Sequence, residues 1–277
     1  MSILDRELEV ARRIARQAGE ILQQVYATDF SVQAKEGGAG PVTVADERAN
    51  AFIVGELRKA FPGDGVVAEE SEDASDAKRF DRCWYVDPLD GTQEFVKRNG
   101  EFAIHIGLAV AGKAAVGVVY RPVGDTLFAG VVGQQGFVED AGGRRALRVS
   151  DVAEPSEMRL VVSRSHRSAL TDQIVQRLGI TREKESGSVG LKCGLLAEAH
   201  ADLYIHVSGK SYRWDNCAPE AVLRSAGGIL TDLGGVAYRY DGSELQNHRG
   251  LLACNAAAFP RVQPVVEQFA REAGILK

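Results

Sequence analysis

The segment from Cys83 to Thr92 joins a buried strand to two carboxylates, and it constrains the fold more than any other part of the chain. The aromatic run Cys83–Val86 predicts a buried strand, which is followed at once by the sequence D-P-L-D-G-T. Pro88 disfavours helical backbone at Asp87, so we expect a turn between the two aspartates, with Thr92 as the N-cap of a short helix. Two carboxylates this close repel unless a cation lies between them, while the free N–H groups of a helix start attract an anion. The segment therefore predicts a hard cation and a phosphate, although Asp-Pro and Asp-Gly are also common in solvated turns.

Length and composition indicate an ordinary globular protein. The 277 residues suffice for one large domain or two moderate ones, and a net charge of −5 argues against binding to nucleic acid. We find neither a signal peptide nor an apolar run that could cross a bilayer, so we expect a cytoplasmic protein without a membrane partner. The cysteines are widely spaced, which favours buried, reduced thiols over disulfides or zinc: Cys83, Cys193, Cys217 and Cys254.

The first part of the chain, residues 1–150, predicts an α+β unit with an antiparallel sheet. Helices are predicted over residues 4–26 and 47–61, strands over 30–35, 66–68, 83–86 and 102–110, and an antiparallel meander over 116–139. Asp46 is placed as the N-cap of the second helix, and His105 as a packed strand histidine. Glu36–Pro41 is either a mobile loop or an ordinary hairpin connection, and residues 142–145 predict a polar turn.

The second part, residues 151–277, alternates between helices and strands and predicts an α/β unit. Strands are predicted over 159–163, 203–206, 229–233 and 250–254, and helices over 169–178, 189–200, 218–226 and 260–273. Asp215 should precede the third of these helices, with Pro219 in its first turn.

Acidic residues recur where predicted strands end or helices begin: Asp46, Glu69, Asp87, Asp90 and Asp215. Oxygen ligands without cysteine or histidine select Mg²⁺ or Mn²⁺ over Zn²⁺. Helix capping is the alternative explanation for Asp46 and for Asp215.

Three separated motifs resemble the signature of the inositol monophosphatase superfamily: E-E-S at residues 69–71, D-P-L-D-G-T at 87–92 and W-D at 214–215. The resemblance implies a layered α-β-α-β-α sandwich of the inositol monophosphatase and fructose-1,6-bisphosphatase type. It also implies a magnesium-dependent, lithium-sensitive phosphomonoesterase.

Within that superfamily the chain is most similar to the 3′(2′),5′-bisphosphate nucleotidases, which convert adenosine 3′,5′-bisphosphate to AMP and phosphate. The similarity rests on residues 90–102, 163–166, 188–192 and 214–220, whereas residues 208–213 depart from the bacterial pattern. Inositol monophosphatase and a non-catalytic phosphate-binding homologue are the alternatives. A P-loop is excluded because the glycine required five residues before Gly209 is missing. A serine hydrolase motif G-x-S-x-G is excluded around Ser188 because Ser186 stands in place of its first glycine.

The resemblance also implies a role for each site residue. Two or three Mg²⁺ ions, with Mn²⁺ as a possible substitute, would be held by Glu69, Asp87, the Leu89 carbonyl, Asp90 and Asp215. Asp87 would bridge two ions, and Thr92, Asp46 and Glu69 would be catalytic, the Asp46–Thr92 pair orienting the attacking water. The remaining residues would bind a small phosphorylated substrate: Gly91 and Thr92 the transferred phosphate, and His166, Ser188 and Lys192 the other one. Without the resemblance, Lys192 would be interpreted as a solvated helix lysine. A monomer or a homodimer is expected.

Overall fold

The computed structural model describes residues 4–29, 32–34, 41–71, 75–165 and 167–277. The helices in these ranges are α1 (Asp5–Tyr26), α2 (Val44–Ala60), α3 (Asp76–Arg79), α4 (Thr92–Val96), α5 (Ala169–Leu178), α6 (Val189–Ala197), α7 (Arg213–Ser225) and α8 (Phe259–Glu272). His166 and all of the predicted 36–41 loop except Pro41 lie outside the described residues.

Seven strands form a sheet in chain order, and β1 (Val32–Ala34) pairs separately with β2 (Pro41–Thr43). The seven are β3 (Gly65–Ala68), β4 (Arg82–Asp90), β5 (Ala103–Val110), β6 (Lys113–Arg121), β7 (Thr126–Val131), β8 (Phe137–Asp140) and β9 (Gly143–Ala146). Only the β3–β4 pair of this sheet is parallel. The carboxyl ends of β3 and β4 therefore meet at one edge, and they carry the E-E-S and D-P-L-D-G-T motifs.

A five-stranded mixed sheet follows in the second part of the chain, in the order β11-β10-β12-β14-β13. Its strands are β10 (Arg159–Ser163), β11 (Arg182–Ser186), β12 (Leu203–His206), β13 (Gly228–Thr231) and β14 (Leu251–Asn255). β11 was not predicted from the sequence because it reads R-E-K-E-S, and a charged sequence on an edge strand lacks the apolar pattern of a buried strand.

Helices and sheets alternate in five layers. α1 and α2 cover one face of the seven-stranded sheet, and α6 and α7 fill the space between the two sheets. α5 and α8 cover the outer face of the five-stranded sheet. The predicted α-β-α-β-α sandwich is thereby confirmed. The boundary near residue 150 stays a prediction; the two sheets lie on either side of it, but α7 packs against both.

Small residues on one face of β5 and β6 let α7 approach the seven-stranded sheet closely. Ile104, Ile106 and Leu108 face α1 and α2, whereas Gly107 faces α7. A Cβ atom at Gly107 would lie 2.6 Å from the Ala218 nitrogen, which is too close for any side chain. The alternation of large and small residues along β5 therefore sets the position of α7.

Two details of the D-P-L-D-G-T segment differ from the prediction. β4 does not end before the aspartates but continues through Pro88 to Asp90, with a register shift between Asp87 and Asp90. Proline has no N–H to donate, so the ladder is interrupted there while the chain stays extended. Gly91, at φ 95°, is the N-cap of α4, and Thr92 is its first helical residue. A glycine suits this backbone conformation because it has no Cβ.

Three further predicted boundaries were wrong. Asp46 is not the N-cap of α2 but its third residue, and Thr43 is the cap. α7 begins at Arg213 rather than 218, with Tyr212 as its N-cap, so Asp215 and Pro219 both lie inside the helix. Tyrosine is not a usual cap residue, and this concealed the helix start. The predicted polar turn at residues 142–145 is largely strand β9.

Candidate active site

A cavity of about 390 Å³ lies at the carboxyl end of β4 and is lined by residues from both parts of the chain. It brings together all five predicted metal ligands: Glu69, Asp87, Leu89, Asp90 and Asp215. The predicted phosphate contacts Gly91, Thr92, Ser188 and Lys192 line the same cavity. The roles of these residues stay predictions, but their placement around one cavity gives them a common ligand to act on.

Asp90 is anchored to the N-terminus of α6. Its Oδ2 accepts hydrogen bonds from the Ser188 hydroxyl at 2.6 Å and from the backbone N–H groups of Val189 and Gly190. The Nε2 of His105, a fully buried residue, lies 3.2 Å from the same oxygen. Burial alone would raise the pKa of Asp90. The opposing effect of His105, Lys192 and the Ser188 hydroxyl is larger, so the pKa lies well below its ordinary value. Asp90 is therefore held as a carboxylate, and since these bonds all end on Oδ2, Oδ1 is the oxygen available to a cation.

The pKa values of Asp87 and Asp215 are shifted in the opposite direction from that of Asp90. Burial and the charges of Glu69, Asp90 and Asp215 raise the pKa of Asp87 well above its ordinary value. Burial and the charges of Asp90 and Glu69 likewise raise the pKa of Asp215. The carboxylates thus repel one another across the cavity, and a bound cation would relieve that repulsion.

The donor set fits magnesium in its chemistry. Carboxylate and carbonyl oxygens are hard ligands that suit Mg²⁺ and Mn²⁺. In the part of the chain that the structure describes, no three His, Cys, Asp or Glu side chains are arranged as a coordination site. The carboxylates accept backbone N–H bonds instead: Asp87 from Leu89 at 2.9 Å, and Asp215 from Tyr212 at 2.7 Å. Magnesium binding therefore stays a prediction.

Thr92 and Asp46 form the predicted pair beside these carboxylates. The Thr92 hydroxyl lies 3.3 Å from Asp46 Oδ1 and 3.2 Å from the Leu89 carbonyl oxygen. Asp46 is fully buried, and its Oδ2 accepts from the N–H and the hydroxyl of Thr43 at 2.8 and 2.7 Å. The two helix starts, α2 and α4, are thereby joined through one carboxylate.

Lys192 is buried, not solvated. Its ammonium donates to the backbone carbonyls of Ser188 at 2.6 Å, Gly187 at 3.1 Å and Ser186 at 3.5 Å, and it lies 5.0 Å from the centre of the Tyr204 ring. Its three N–H groups are thus matched by three carbonyls. Ser188 has φ 46°, an uncommon conformation for a residue with a side chain, and Lys192 stabilises the turn that contains it.

The cavity also contains residues that were not predicted to lie there: Lys210, Tyr212 and Trp214. They lie in the stretch 208–213 or directly after it, where the sequence departs from the bacterial nucleotidase pattern. The available signal was the run K-S-Y-R-W, which places two cations and two aromatic residues immediately before Asp215. His105 was correctly placed as a buried strand histidine, but its contact with Asp90 was not foreseen.

The layered fold and the acidic cavity together are typical of a phosphatase with an α/β sandwich. Comparisons with known proteins support this class. The sequence model of the inositol monophosphatase family matches residues 4–268, so the chain belongs to that family. The 3′(2′),5′-bisphosphate nucleotidase CysQ of Escherichia coli strain K12 is 37% identical over 238 residues, which cover 84% of this chain and 93% of the relative. The Nus factor SuhB of the same strain is 30% identical over 85% of this chain and 89% of its own length.

A solved structure extends the agreement to the fold. The crystal structure of CysQ from Bacteroides thetaiotaomicron, described as a bacterial member of the inositol monophosphatase family, superposes with a TM-score of 0.78 at 27% identity. The match covers 92% of this chain and 98% of that one. Among the described residues, no helix is long and apolar enough to cross a membrane.

Proposed function

We propose that the protein is a magnesium-dependent 3′(2′),5′-bisphosphate nucleotidase that converts adenosine 3′,5′-bisphosphate to AMP and phosphate. One observation carries the proposal: the four carboxylates proposed as metal ligands line one cavity together with Thr92, whose hydroxyl lies 3.3 Å from the buried Asp46 Oδ1. The 37% identity to a bisphosphate nucleotidase of Escherichia coli supports the choice of substrate.

The chain's own residues bind and orient the reactants. Bound Mg²⁺ ions would lower the pKa of the attacking water and neutralise the phosphate oxygens. Asp46, held by Thr43, accepts a hydrogen bond from the Thr92 hydroxyl. The Thr92 oxygen can then accept a hydrogen bond from the water and orient it. The first N–H groups of α4, which follow Gly91, face a transferred phosphate at a helix start. Asp90 stays ionised because α6 and His105 stabilise its charge.

A phosphate could not enter this cavity unaided. Among the described residues, six carboxylates line it, from Glu69, Glu70, Asp87, Asp90, Glu94 and Asp215, against the two lysines Lys192 and Lys210. A phosphomonoester dianion would be repelled by that charge unless cations were bound first. This imbalance favours a metal-dependent enzyme over a non-catalytic phosphate-binding protein.

The second phosphate of the substrate needs a cation or donors of its own. Ser188, Lys192 and His166 were predicted to hold it, but the Lys192 ammonium already donates to three carbonyls. Lys210 is exposed, lines the same cavity, and has no ion pair within the described ranges. We therefore propose that Lys210, rather than Lys192, is the cation that pairs with the second phosphate.

Phosphate release measures the proposed activity directly. Adenosine 3′,5′-bisphosphate should be hydrolysed faster than inositol 1-phosphate, fructose 1,6-bisphosphate or AMP in Mg²⁺, with no turnover after the metal is chelated. Asp90→Asn should reduce turnover by orders of magnitude and weaken Mn²⁺ binding measured by electron paramagnetic resonance. Glu70→Gln, which removes a charge from the same cavity but no proposed ligand, is the matched control. Undiminished activity of Asp90→Asn would overturn the metal site, and a preference for inositol 1-phosphate would make inositol monophosphatase the better assignment.

A further inference from the structure

Two aromatic rings beside the acidic site are stacked on each other. The rings of Tyr212 and Trp214 lie 4.6 Å apart between centres and 5° from parallel. Both residues are partly exposed, and both line the cavity. The stack exists because Tyr212 is the extended N-cap of α7 (φ −128°, ψ 172°) and Trp214 lies in the first turn. The outer face of such a pair is a flat π surface, on which a planar ligand in the cavity could stack.

The backbone beneath this pair is fixed by the segment 245–247. The Arg213 N–H donates to the Leu245 carbonyl at 2.8 Å, and the Asn247 N–H donates to the Ser211 carbonyl at 2.7 Å. The Asn247 side chain also donates to the Tyr212 carbonyl at 2.8 Å. The rings are therefore pre-oriented, and a ligand that stacks on them would not have to order this part of the chain first.

The stack is also tied to the proposed reaction centre. The Tyr212 N–H donates to Asp215 Oδ2 at 2.7 Å, so the rings and a proposed metal ligand share one helical turn of about 5.4 Å. A ligand that places a phosphate against Asp215 can therefore reach the rings with the group attached next to that phosphate. A nucleoside phosphate carries a planar base on the ribose that bears the phosphate, whereas an inositol phosphate carries only a hydroxylated ring.

We propose that Tyr212, stacked on Trp214, completes a base-stacking surface that makes this enzyme select nucleoside phosphates over inositol phosphates. Trp214 belongs to the W-D motif of the superfamily, so Tyr212 supplies the difference in selectivity. The inference deepens the proposed function and rests on it for the identity of the substrate. Stacking of a base on an aromatic side chain changes binding by about 5- to 150-fold. Tyr212 is the proposed specificity determinant, and neither ring takes part in bond breaking.

Tryptophan fluorescence tests this without turnover, since the chain contains only Trp84 and Trp214. Trp84 is fully buried and its indole N–H donates to Asp64, so its emission should not respond to ligands. In Mg²⁺ buffer, AMP should quench the emission of Trp214, while ribose 5-phosphate and inositol 1-phosphate should not. Equal quenching by AMP and ribose 5-phosphate would overturn the inference, and so would no quenching by saturating AMP.

Binding measurements on variants provide a second test of the stacking surface. Tyr212→Leu and Trp214→Leu should weaken AMP binding, measured by calorimetry, about 5- to 150-fold, with ribose 5-phosphate binding unchanged. Tyr212→Phe and Trp214→Phe keep an aromatic face and should retain AMP binding. Equal losses for both ligands would show that the rings only support the fold. Failure of the proposed function is a separate result: wild-type protein would then not hydrolyse adenosine 3′,5′-bisphosphate, whatever its fluorescence shows.

Discussion

The Ser188 hydroxyl donates a hydrogen bond to Asp90 Oδ2 at 2.6 Å, although the two residues are 98 positions apart. Asp90 ends β4 of the first sheet, and Ser188 is the N-cap of α6 in the second part of the chain. The same hydroxyl oxygen accepts the Leu191 N–H at 3.2 Å. One side chain therefore caps a helix and orients a proposed metal ligand.

Ser188→Ala should reduce both stability and metal affinity. Loss of the cap should lower the free energy of unfolding by about 1 kcal/mol, and loss of the donor to Asp90 should raise the Mg²⁺ concentration needed for half-maximal activity. Ser168→Ala is the matched control, because Ser168 caps α5 in the same way and does not line the cavity. Chemical denaturation and magnesium titrations measure the two effects. An unchanged magnesium requirement in Ser188→Ala would limit this residue to capping.

Thr92→Ala should lower kcat while metal binding is retained. The hydroxyl between Asp46 and Leu89 is proposed to orient water, and a role of this kind typically contributes about 10²–10⁴-fold. Thr92→Ser keeps the hydroxyl and should restore most of the activity. Steady-state kinetics distinguish the roles: a raised KM with normal kcat in Thr92→Ala would make Thr92 a binding residue only.

Lys210→Ala and Lys192→Ala should differ in their substrate dependence. A hydrogen bond to a charged group contributes about 1.5–3 kcal/mol, so Lys210→Ala should lower kcat/KM for the bisphosphate about 10- to 150-fold and leave a monophosphate nearly unaffected. Lys192→Ala would remove the buried ammonium that donates to three carbonyls of the Ser188 turn, and it should lower stability and the activity on both substrates. A loss confined to the bisphosphate in Lys192→Ala, with Lys210→Ala unaffected, would reverse the assignment.

Gly117→Ala should displace α7. A Cβ atom at Gly117 would lie 2.2 Å from the Ala218 carbonyl oxygen, so the helix carrying Asp215 must move. Overpacking of this kind typically costs about 1–3 kcal/mol of unfolding free energy, and activity should fall with it. Gly55→Ala in α2 is the control, because a methyl group added there would have nothing within 4 Å and helix propensity should raise stability by about 0.5–1 kcal/mol. Equal melting temperatures for the two variants would contradict the close contact.

Asp202 should make the fold sensitive to acid. Burial raises its pKa, but hydrogen bonds from Arg159 and Ser150 outweigh burial and hold the pKa below its ordinary value. A depressed pKa contributes stability above the unfolded-state value near 4, and the contribution is lost as the pH falls through the folded-state value. Asp202→Asn should therefore have a lower free energy of unfolding than wild type at pH 7. The gap between the two free energies should narrow below pH 4. Denaturation at pH 7 and pH 3 measures this, and a constant difference would contradict it.

Motifs and apolar periodicity predicted the layered fold and the residues around the cavity because each of these signals is contained in a short, continuous segment of the sequence. The strand Leu203–His206 and the helix Ala169–Leu178 have the predicted bounds, since each carries its own pattern or cap. β11 and the start of α7 could not be predicted in this way. A charged edge strand and a tyrosine cap are stabilised by contacts with distant segments, among them Asn247 on Tyr212.

The chemistry of Lys192 shows the same limit. A helical lysine four residues after an N-cap serine has no local feature that shows whether its partner is solvent, a phosphate or buried carbonyls. Its role depends on the turn at Ser188 and on the Tyr204 ring, which β12 brings against it. Only the assembled fold brings these groups together.

The position of α7 between the sheets affects the order in which the protein can fold during synthesis. The seven-stranded sheet is complete at Ala146, but the helix that covers its inner face ends at Ser225. At roughly 5–20 residues per second, the ribosome needs roughly 4–16 s to make the residues between these points. During that interval the apolar face that includes Tyr85 and Val119 has no helix α7 to cover it. The nascent chain therefore exposes an aggregation-prone surface. A ribosome stalled once residue 146 has left the exit tunnel should recruit a chaperone, and one stalled after residue 225 has left it should not.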